Sequence, residues 1–350
     1  MLAAETKGAG AEVAQAPSED PNRSWKKIVE HVDPFLHAVG EQLIQQANDF
    51  DPKIAPYAQY ALNGNGKHLR PTLVAFSANA VGKISSAHVT AAVIIEMVHL
   101  ATLVHDDVMD EAQIRRGKPT LAATWGNEIA VLFGDCLFAQ ALKLAASFPT
   151  PEVCRAVSMA TNTVCTGEIL QTQHRRNFEQ SRRAYFRVIE MKTAELFTLS
   201  CDLAAFIGEA KPEHRQALRQ FGAAFGTAYQ VYDDCVDLFG TEIEAGKSLG
   251  TDLEKGKLTW PVLLAWERAN PVDRERLESM IRVWQPENLR GVNELLAKYE
   301  TFEPSLEVVE KYLDLARKAL NILPKGAGRA DLVNLADFLA QQIETLAVCV

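Results

Sequence analysis

Apolar residues recur along most of this chain at the three- and four-residue intervals of an α-helix rather than at the alternate positions of a strand. Over residues 25–48 the series Ile28, Val29, Val32, Phe35, Leu36, Val39, Leu43 and Ile44 predicts a first amphipathic helix. A shorter helix is predicted over 52–62, and longer ones over 127–146, 153–174, 182–208 and 212–239. Pro149 and Pro151 separate the first two of these, and Gly240 ends the last. The final third reads as helices over 258–269, 271–284, 287–299, 304–320 and 331–348. No alternating run bounded by turn residues stands out, so the expected fold class is all-α.

One stretch breaks the amphipathic rule. Ile94, Ile95, Met97, Val98, Leu100, Leu103, Val104 and Val108 are apolar nearly all round a helix, which is the pattern of a buried element. Yet the same stretch, EMVHLATLVHDDVMDEAQIRRG over 96–117, carries Asp106 and Asp110 one turn apart, with Asp107 beside them and His99 two turns back. A DDxxD string alone fits a solvated acidic face just as well. Carboxylates inside an apolar helix do not, because a buried charge is costly unless it is paired. The pattern then recurs: QVYDDCVD, from Gln230 to Asp237, places Asp233, Asp234 and Asp237 in a second apolar run. Acceptor-only oxygens in such clusters suit a hard cation such as Mg²⁺, and the forked donors of Arg115 and Arg116 just downstream suit phosphate oxygens.

Composition narrows the partners. A net charge of -9 and a pI near 5.5 over 350 residues argue against a nucleic-acid surface. The six cysteines (136, 154, 165, 201, 235, 349) show no CxxC spacing and mostly occupy apolar helical windows, pointing to a reduced, cytoplasmic setting. Residues 1–24 have neither a secretion nor a transit pattern and are expected to form a disordered leader before a single helical domain over 25–350. The apolar window 89–104 is interrupted by Glu96 and His99 and is shorter than the roughly 20 residues of a bilayer span, so no transmembrane segment is expected. The chain ends in AVCV, where a prenylation box would need Cys in place of Ala347.

Two further stretches carry charge in glycine-rich surroundings. NGNGKHLRP, from Asn63 to Pro71, resembles a phosphate loop, but a Walker box needs Gly where Ala61 stands and a hydroxyl where His68 stands. Lys67 and Arg70, one turn apart at a predicted helix start, leave an anion site open there, as they do a solvated helix N-terminus. TEIEAGKSLGTDLEKGK, over 241–257, bears Lys247, Asp252 and Lys257 and reads either as a closing loop or as a surface connection. Lys192 and Thr193 interrupt the apolar run RVIEMKTAELFTL, where a lone Lys commonly snorkels to solvent.

Taken in order, GKHLRP, HLATLVHDDVMDEAQIRRG, GEILQ, KTAELF, QVYDDCVD and GKSLGTDLEKGK resemble the trans-prenyl diphosphate synthases, in particular the polyprenyl branch with octaprenyl and solanesyl diphosphate synthases. The resemblance is clear over 61–264. It implies an antiparallel helix bundle around a deep central cavity (the isoprenoid synthase fold), usually homodimeric, with isopentenyl and allylic diphosphates as its substrates. It further implies Mg²⁺, roughly two or three ions per site, held by Asp106, Asp107 and Asp110 on one side and by Asp233, Asp234 and Asp237 on the other. Lys67, Arg70, His99 and Arg116 would hold isopentenyl diphosphate; Arg115, Lys192, Lys247 and Lys257 would grip the allylic diphosphate. Thr193 and Gln230 would flank the reacting carbon. Small residues at Ala101 and Thr102 would let the tail grow to about six or more isoprene units, with Met97, Val98, Phe138 and Met159 as candidates for a deeper floor. The long apolar product suggests peripheral delivery to a membrane.

Two other chemistries share parts of this pattern. His68, His105-Asp106 and Asp233 follow the H…HD…D order of helical phosphohydrolases. Class I terpene cyclases also ionise allylic diphosphates, though their second cluster is usually of an Asn/Ser/Glu type and they would leave Lys67, Arg70 and His99 idle. A non-catalytic partner subunit is a third reading, which two complete aspartate clusters disfavour.

Overall fold

The longest apolar stretch becomes the central helix. In the computed structural model, which describes residues 21–62, 66–115, 117–241 and 248–349, the first half of the chain forms α1 (Pro21–Val29), a 3₁₀ turn (Glu30–Val32), α2 (Asp33–Asn48), α3 (Ala55–Leu62), α4 (Leu69–Val81) and α5 (Ser86–Met109). Ile94, Ile95, Met97, Val98 and Ala101 of α5 are almost completely buried, each large side chain contributing about 1.5–3 kcal/mol on burial. The helix opens on Ser85, whose backbone N–H and hydroxyl both meet the Nδ1 of His88, while the Nε2 of that ring bonds the carbonyl of Ala204 across the core.

After α5 the chain makes a two-stranded antiparallel ribbon, β1 (Ile114–Arg115) with β2 (Lys118–Pro119), pairing Ile114 with Pro119 and Arg115 with Lys118. This corrects the expectation of no strand; two residues per strand are too few to show an alternating pattern. Then follow α6 (Leu121–Trp125), α7 (Asn127–Ala146), α8 (Pro151–Gln173), α9 (Arg182–Ile189), a π-helical turn (Glu190–Ala194), α10 (Glu195–Ile207) and α11 (Pro212–Phe239). The remainder is α12 (Thr251–Glu254), α13 (Trp260–Arg268), α14 (Pro271–Arg282), α15 (Asn288–Lys298), α16 (Phe302–Ala319), a 3₁₀ turn (Leu320–Ile322) and α17 (Ala327–Cys349).

The main layers pair α5 with α7, α10 with α4 and α11, and α11 with α16, while α17 closes over α4. One connected apolar core runs through them from Trp25 to Ile343. By length and composition α5 and α7 could each cross a bilayer, but 61% of the α5 window lies inside the protein, against 39% for α7. The all-α expectation holds apart from the ribbon.

Other boundaries differ from the apolar pattern for local reasons. The single helix expected over 25–48 starts earlier, at Pro21, four residues inside the stretch expected as leader, and it is interrupted at Glu30–Val32. Pro34 lacks the N–H a continuous helix would need and instead starts α2. Residues 1–20, the rest of that leader, lie outside the described residues. The helix expected over 182–208 is three pieces, because the π turn widens it at Glu190–Ala194.

Candidate active site

The C-terminal turns of α5 deliver the first aspartate cluster, and each carboxylate meets a cation. Asp107, nearly buried, accepts from the Nε of Arg115 at 2.7 Å, which the ribbon folds back onto the helix. Burial pushes its carboxyl above the ordinary range more than Arg115 draws it down. Asp110 accepts from Lys257 Nζ at 2.7 Å and from Arg175 at 2.8 Å. Burial alone would raise Asp110 as well, but Lys257, Lys192 and Arg175 together hold it below the usual carboxylate range. Asp106 lies 3.5 Å from Lys192 Nζ.

Lys192 does not snorkel. Its side chain is 20% exposed, and its ammonium pairs with Glu168, donates to Gln171 Oε1 at 2.9 Å, and faces Asp106. Burial would lower its pKa, yet the carboxylates of Asp106, Glu168 and Asp110 raise it, so it stays charged. The geometry depends on the π turn, a form that concentrates at functional sites. Two glycines let neighbouring helices approach it: a Cβ at Gly167 of α8 would sit 2.7 Å from the Lys192 backbone N, and one at Gly226 of α11 would sit 2.7 Å from Ala194 Cα. Within this seat, Lys192 points to α5 and α8, while Thr193 donates to Gln230 Oε1 of α11 at 2.8 Å.

The second cluster sits differently. Asp233 is partly exposed, whereas Asp234 and Asp237 are 3% and 0% exposed. Asp234 accepts from Tyr185 OH at 2.5 Å and from Gln230 Nε2 at 2.8 Å. Asp237 accepts from Thr251 Oγ1 at 2.9 Å and from the Asp252 backbone N–H at 3.2 Å, so it anchors the start of α12. The same loop returns Lys257 to Asp110, its backbone N–H bonded to Asp252 O at 2.8 Å. The two clusters are therefore joined twice, by the adjacent pair Lys192–Thr193 and by the loop between Gly250 and Lys257.

Because each carboxylate of the first cluster is turned onto a cation and two of the second are engaged by hydrogen bonds, no group of three His, Cys, Asp or Glu side chains that could hold a metal is found among the described residues. The donor chemistry still fits a hard divalent cation: Asp106 and Asp110 present acceptor-only oxygens one turn apart, ringed by Lys192, Lys257 and Arg175 that suit a diphosphate.

At the start of α4, Lys67 is exposed and the Arg70 guanidinium lies 4.9 Å from the Phe197 ring centroid. Between them His68 adopts a left-handed conformation, φ 46°, and its Nδ1 lies 3.7 Å from Glu96. Glu96 is one turn before His99 on α5, so this end of α4 lies against the turn that carries His99. Arg116 and Lys247 lie outside the described residues. Met97, Val98 and Ala101 are buried, and Thr102 satisfies its hydroxyl on the His99 carbonyl at 2.7 Å. Phe138 packs against His105, but Met159 is 63% exposed and cannot form a floor, because it faces outward from α8.

The phosphohydrolase arrangement does not form. His105 Nε2 donates to the Val131 carbonyl at 3.0 Å, and its ring is seated on Gly134 of α7. His68 faces Glu96. The imidazoles are thus engaged with separate neighbours.

The family model for polyprenyl synthetase matches residues 51–299. This chain belongs to the polyprenyl synthetase family. The synthetase is 36% identical over 311 residues to heptaprenyl diphosphate synthase component 2 of Bacillus subtilis, covering 88% of each chain. It is 33% identical to octaprenyl diphosphate synthase of Escherichia coli, over 91% of this chain and 98% of the other. Among solved structures it superposes on a decaprenyl diphosphate synthase from Rhodobacter capsulatus with a TM-score of 0.86 at 33% identity, covering 91% and 99% of the two chains. A polyprenyl synthase from Caulobacter crescentus, complexed with calcium and isoprenyl diphosphate, gives a TM-score of 0.85 at 32% identity, covering 90% and 97%. The synthetase therefore has the isoprenoid synthase fold and is a prenyltransferase of the long-chain, all-trans class, whose members use a divalent metal in ionising a diphosphate.

Sequence reasoning missed several partners. Glu168 and Gln171 of α8 and Arg175 just past its end, three and four residues apart, together face Lys192 and Asp110; their helical spacing inside GEILQTQHRR was the available signal. Nothing local marked Tyr185, whose partner lies on a distant helix.

Proposed function

We propose that this synthetase condenses isopentenyl diphosphate with an allylic diphosphate to give an all-trans product of about six or more isoprene units. The observation that carries the reading is the adjacent pair Lys192–Thr193, one residue reaching the first aspartate cluster and the next reaching the helix of the second. Asp106, Asp110 and Asp233 are the residues suited to hold Mg²⁺, roughly two or three ions, which when bound neutralise the departing diphosphate. Lys192, Lys257 and Arg115 grip the allylic diphosphate as charge moves onto its oxygens, with Lys247 as a fourth cation. Lys67, Arg70, His99 and Arg116 orient isopentenyl diphosphate, so that its double bond meets the allylic carbon. Thr193 and Gln230 turn oxygen dipoles toward the developing cation, and the apolar wall of α5 keeps water away. The resulting cation loses a proton from the adjacent carbon to the released diphosphate, and the freed electron pair becomes the new double bond.

Buried Ala101 and the methyl face of Thr102 support a long product, because neither blocks a tail running along α5 past Val98 and Met97. Residues 25–350 act as a single domain. Exposed Val131 and Leu132 on α7 and Met159 and Ile169 on α8 support a homodimer through these adjoining helices. The free cysteines at 136, 154, 165, 201 and 235 support a reducing, cytoplasmic setting, with product handed to a membrane surface.

The test is incubation of the purified chain alone with Mg²⁺, labelled isopentenyl diphosphate and geranyl or farnesyl diphosphate. A ladder of polyprenyl diphosphates is expected. Hydrocarbon and free diphosphate from farnesyl diphosphate alone would instead mark a cyclase, and turnover only with a second chain would mark one subunit of a heteromer.

A further inference from the structure

The two adjacent aspartates of the second cluster are chemically alike but differently placed, and the difference extends to the reacting groups. Asp234 has one oxygen on the Gln230 amide and the other on the Tyr185 hydroxyl. With Tyr185 donating to one Asp234 oxygen, Gln230 turns its NH₂ to the other and its carbonyl oxygen to Thr193. The Thr193 proton is then committed to Gln230, leaving the hydroxyl lone pairs on the remaining side.

We propose that Tyr185 and Asp234 are positioning residues, a relay that fixes the polarity of Gln230 and Thr193 toward the ionising allylic carbon, and that Asp234 belongs to this relay rather than to the metal-holding set. The inference rests on the prenyl-transfer reading above. Tyr185 is 4% exposed and packs against Phe186 and Trp260, at ring-centroid distances of 5.1 and 5.8 Å. Burial and the neighbouring carboxylate drive its phenol well above its ordinary pKa, so it remains a donor. Without that donor, the buried Asp234 oxygen is left short of a partner and the Gln230 amide loses its fixed anchor. A flipped amide would turn N–H toward Thr193, whose proton would then point at the cation it should stabilise.

The test compares Tyr185→Phe, Asp234→Asn and Asp233→Asn in the first condensation. Y185F and D234N are expected to lower kcat about 10- to 100-fold, with both KM values and the Mg²⁺ activation midpoint within about twofold of wild type. D233N is expected to shift the Mg²⁺ midpoint. In a double-mutant cycle, Y185F should cost little more once Thr193→Val is present, because the relay acts through that hydroxyl. D234N that shifts the Mg²⁺ midpoint as D233N does, Y185F with wild-type kcat, or additive losses in the cycle would each overturn the proposal. Urea melts of Y185F, D234N and their combination read the hydrogen bond without turnover: non-additive losses are expected and additive ones overturn it. Wild-type protein inert with both substrates would overturn the prenyl-transfer reading instead, leaving the melts to decide the contact.

Discussion

The two aspartate triplets look interchangeable as strings of letters, yet the protein treats them by opposite means. At the end of α5, Asp107 and Asp110 are met by full positive charges on Arg115, Arg175 and Lys257, and Asp106 faces Lys192. On α11, Asp234 is met by the neutral donors Tyr185 and Gln230, and among the described residues Asp237 accepts from Thr251 and a backbone N–H. Charge compensation leaves carboxylates that a cation and a diphosphate can recruit, because the same Lys and Arg can turn to phosphate oxygens. Compensation by neutral hydrogen bonds inside the core leaves carboxylates committed to architecture. The motif therefore marks two helices as belonging to one site without making all six residues equivalent.

The largest effects separate recruited from committed groups. Asp106→Ala and Asp233→Ala should each lower kcat/KM about 10³-fold or more, measured with isopentenyl and farnesyl diphosphates, while His105→Ala should cost less than about tenfold. His105 bonds the Val131 carbonyl at 3.0 Å, faces Asp135 at 3.6 Å and braces α5 on α7, so a comparable loss there would erase the distinction between a site group and its neighbour.

Lys192→Met comes next, with kcat expected to fall about 10²- to 10³-fold. It also leaves Glu168, already pushed above its ordinary range by burial, without the ammonium that draws it back. A thermal-melt loss rescued by Glu168→Gln in the double mutant, with no rescue of kcat, would show that the pair's structural and catalytic contributions are separable.

How much of this was readable beforehand follows from the range of each interaction. The 3.6-residue period predicted the helices, and an apolar surround at Asp106 and Asp233 singled out both clusters, because burial of a helix is written in its own neighbours. The π turn was not readable: inserting one residue at Glu190–Ala194 barely disturbs the apolar spacing, although it redirects Lys192 and Thr193 to different helices. The unequal fates of Asp233 and Asp234 depend on Tyr185, 49 residues away in sequence, and local pattern carries no trace of that. Outward-facing Met159 was misjudged because α8 is apolar on two sides, one of which faces away from the core.

Glycine seats on either side of the π turn give a third and smaller test of the link between the clusters. Gly167→Ala would bring a methyl to 2.7 Å from the Lys192 backbone N and Gly226→Ala one to 2.7 Å from Ala194 Cα. Each should cost about 1–3 kcal/mol in urea melts, since neither neighbour is a flexible side-chain tip that can swing aside. If the turn only needs space, both alanines should lower kcat in step with stability. If it aims Lys192 from the α8 side, G167A should lower kcat further than G226A at equal stability.

The smallest expected effect has the clearest sign. Asp110 has its carboxyl held low in the folded protein, because Lys257, Lys192 and Arg175 outweigh burial. A lowered folded pKa contributes stability above the unfolded value of about 3.9 and loses it as pH falls through the folded one. Asp234 is the reverse: burial first, then the charge of Asp252, raises it well above the ordinary range despite Tyr185 and Gln230. A raised folded pKa contributes fully below about 3.9 and is lost as pH rises toward the folded value. Replacing each by Asn removes its titration. In urea melts, the penalty of Asp110→Asn should therefore shrink as pH is lowered below about 3.9, whereas the penalty of Asp234→Asn should shrink as pH is raised above about 3.9. Slopes of the same sign would mean that the two clusters are neutralised alike, and the contrast between cation pairing and hydrogen bonding would fail at its root.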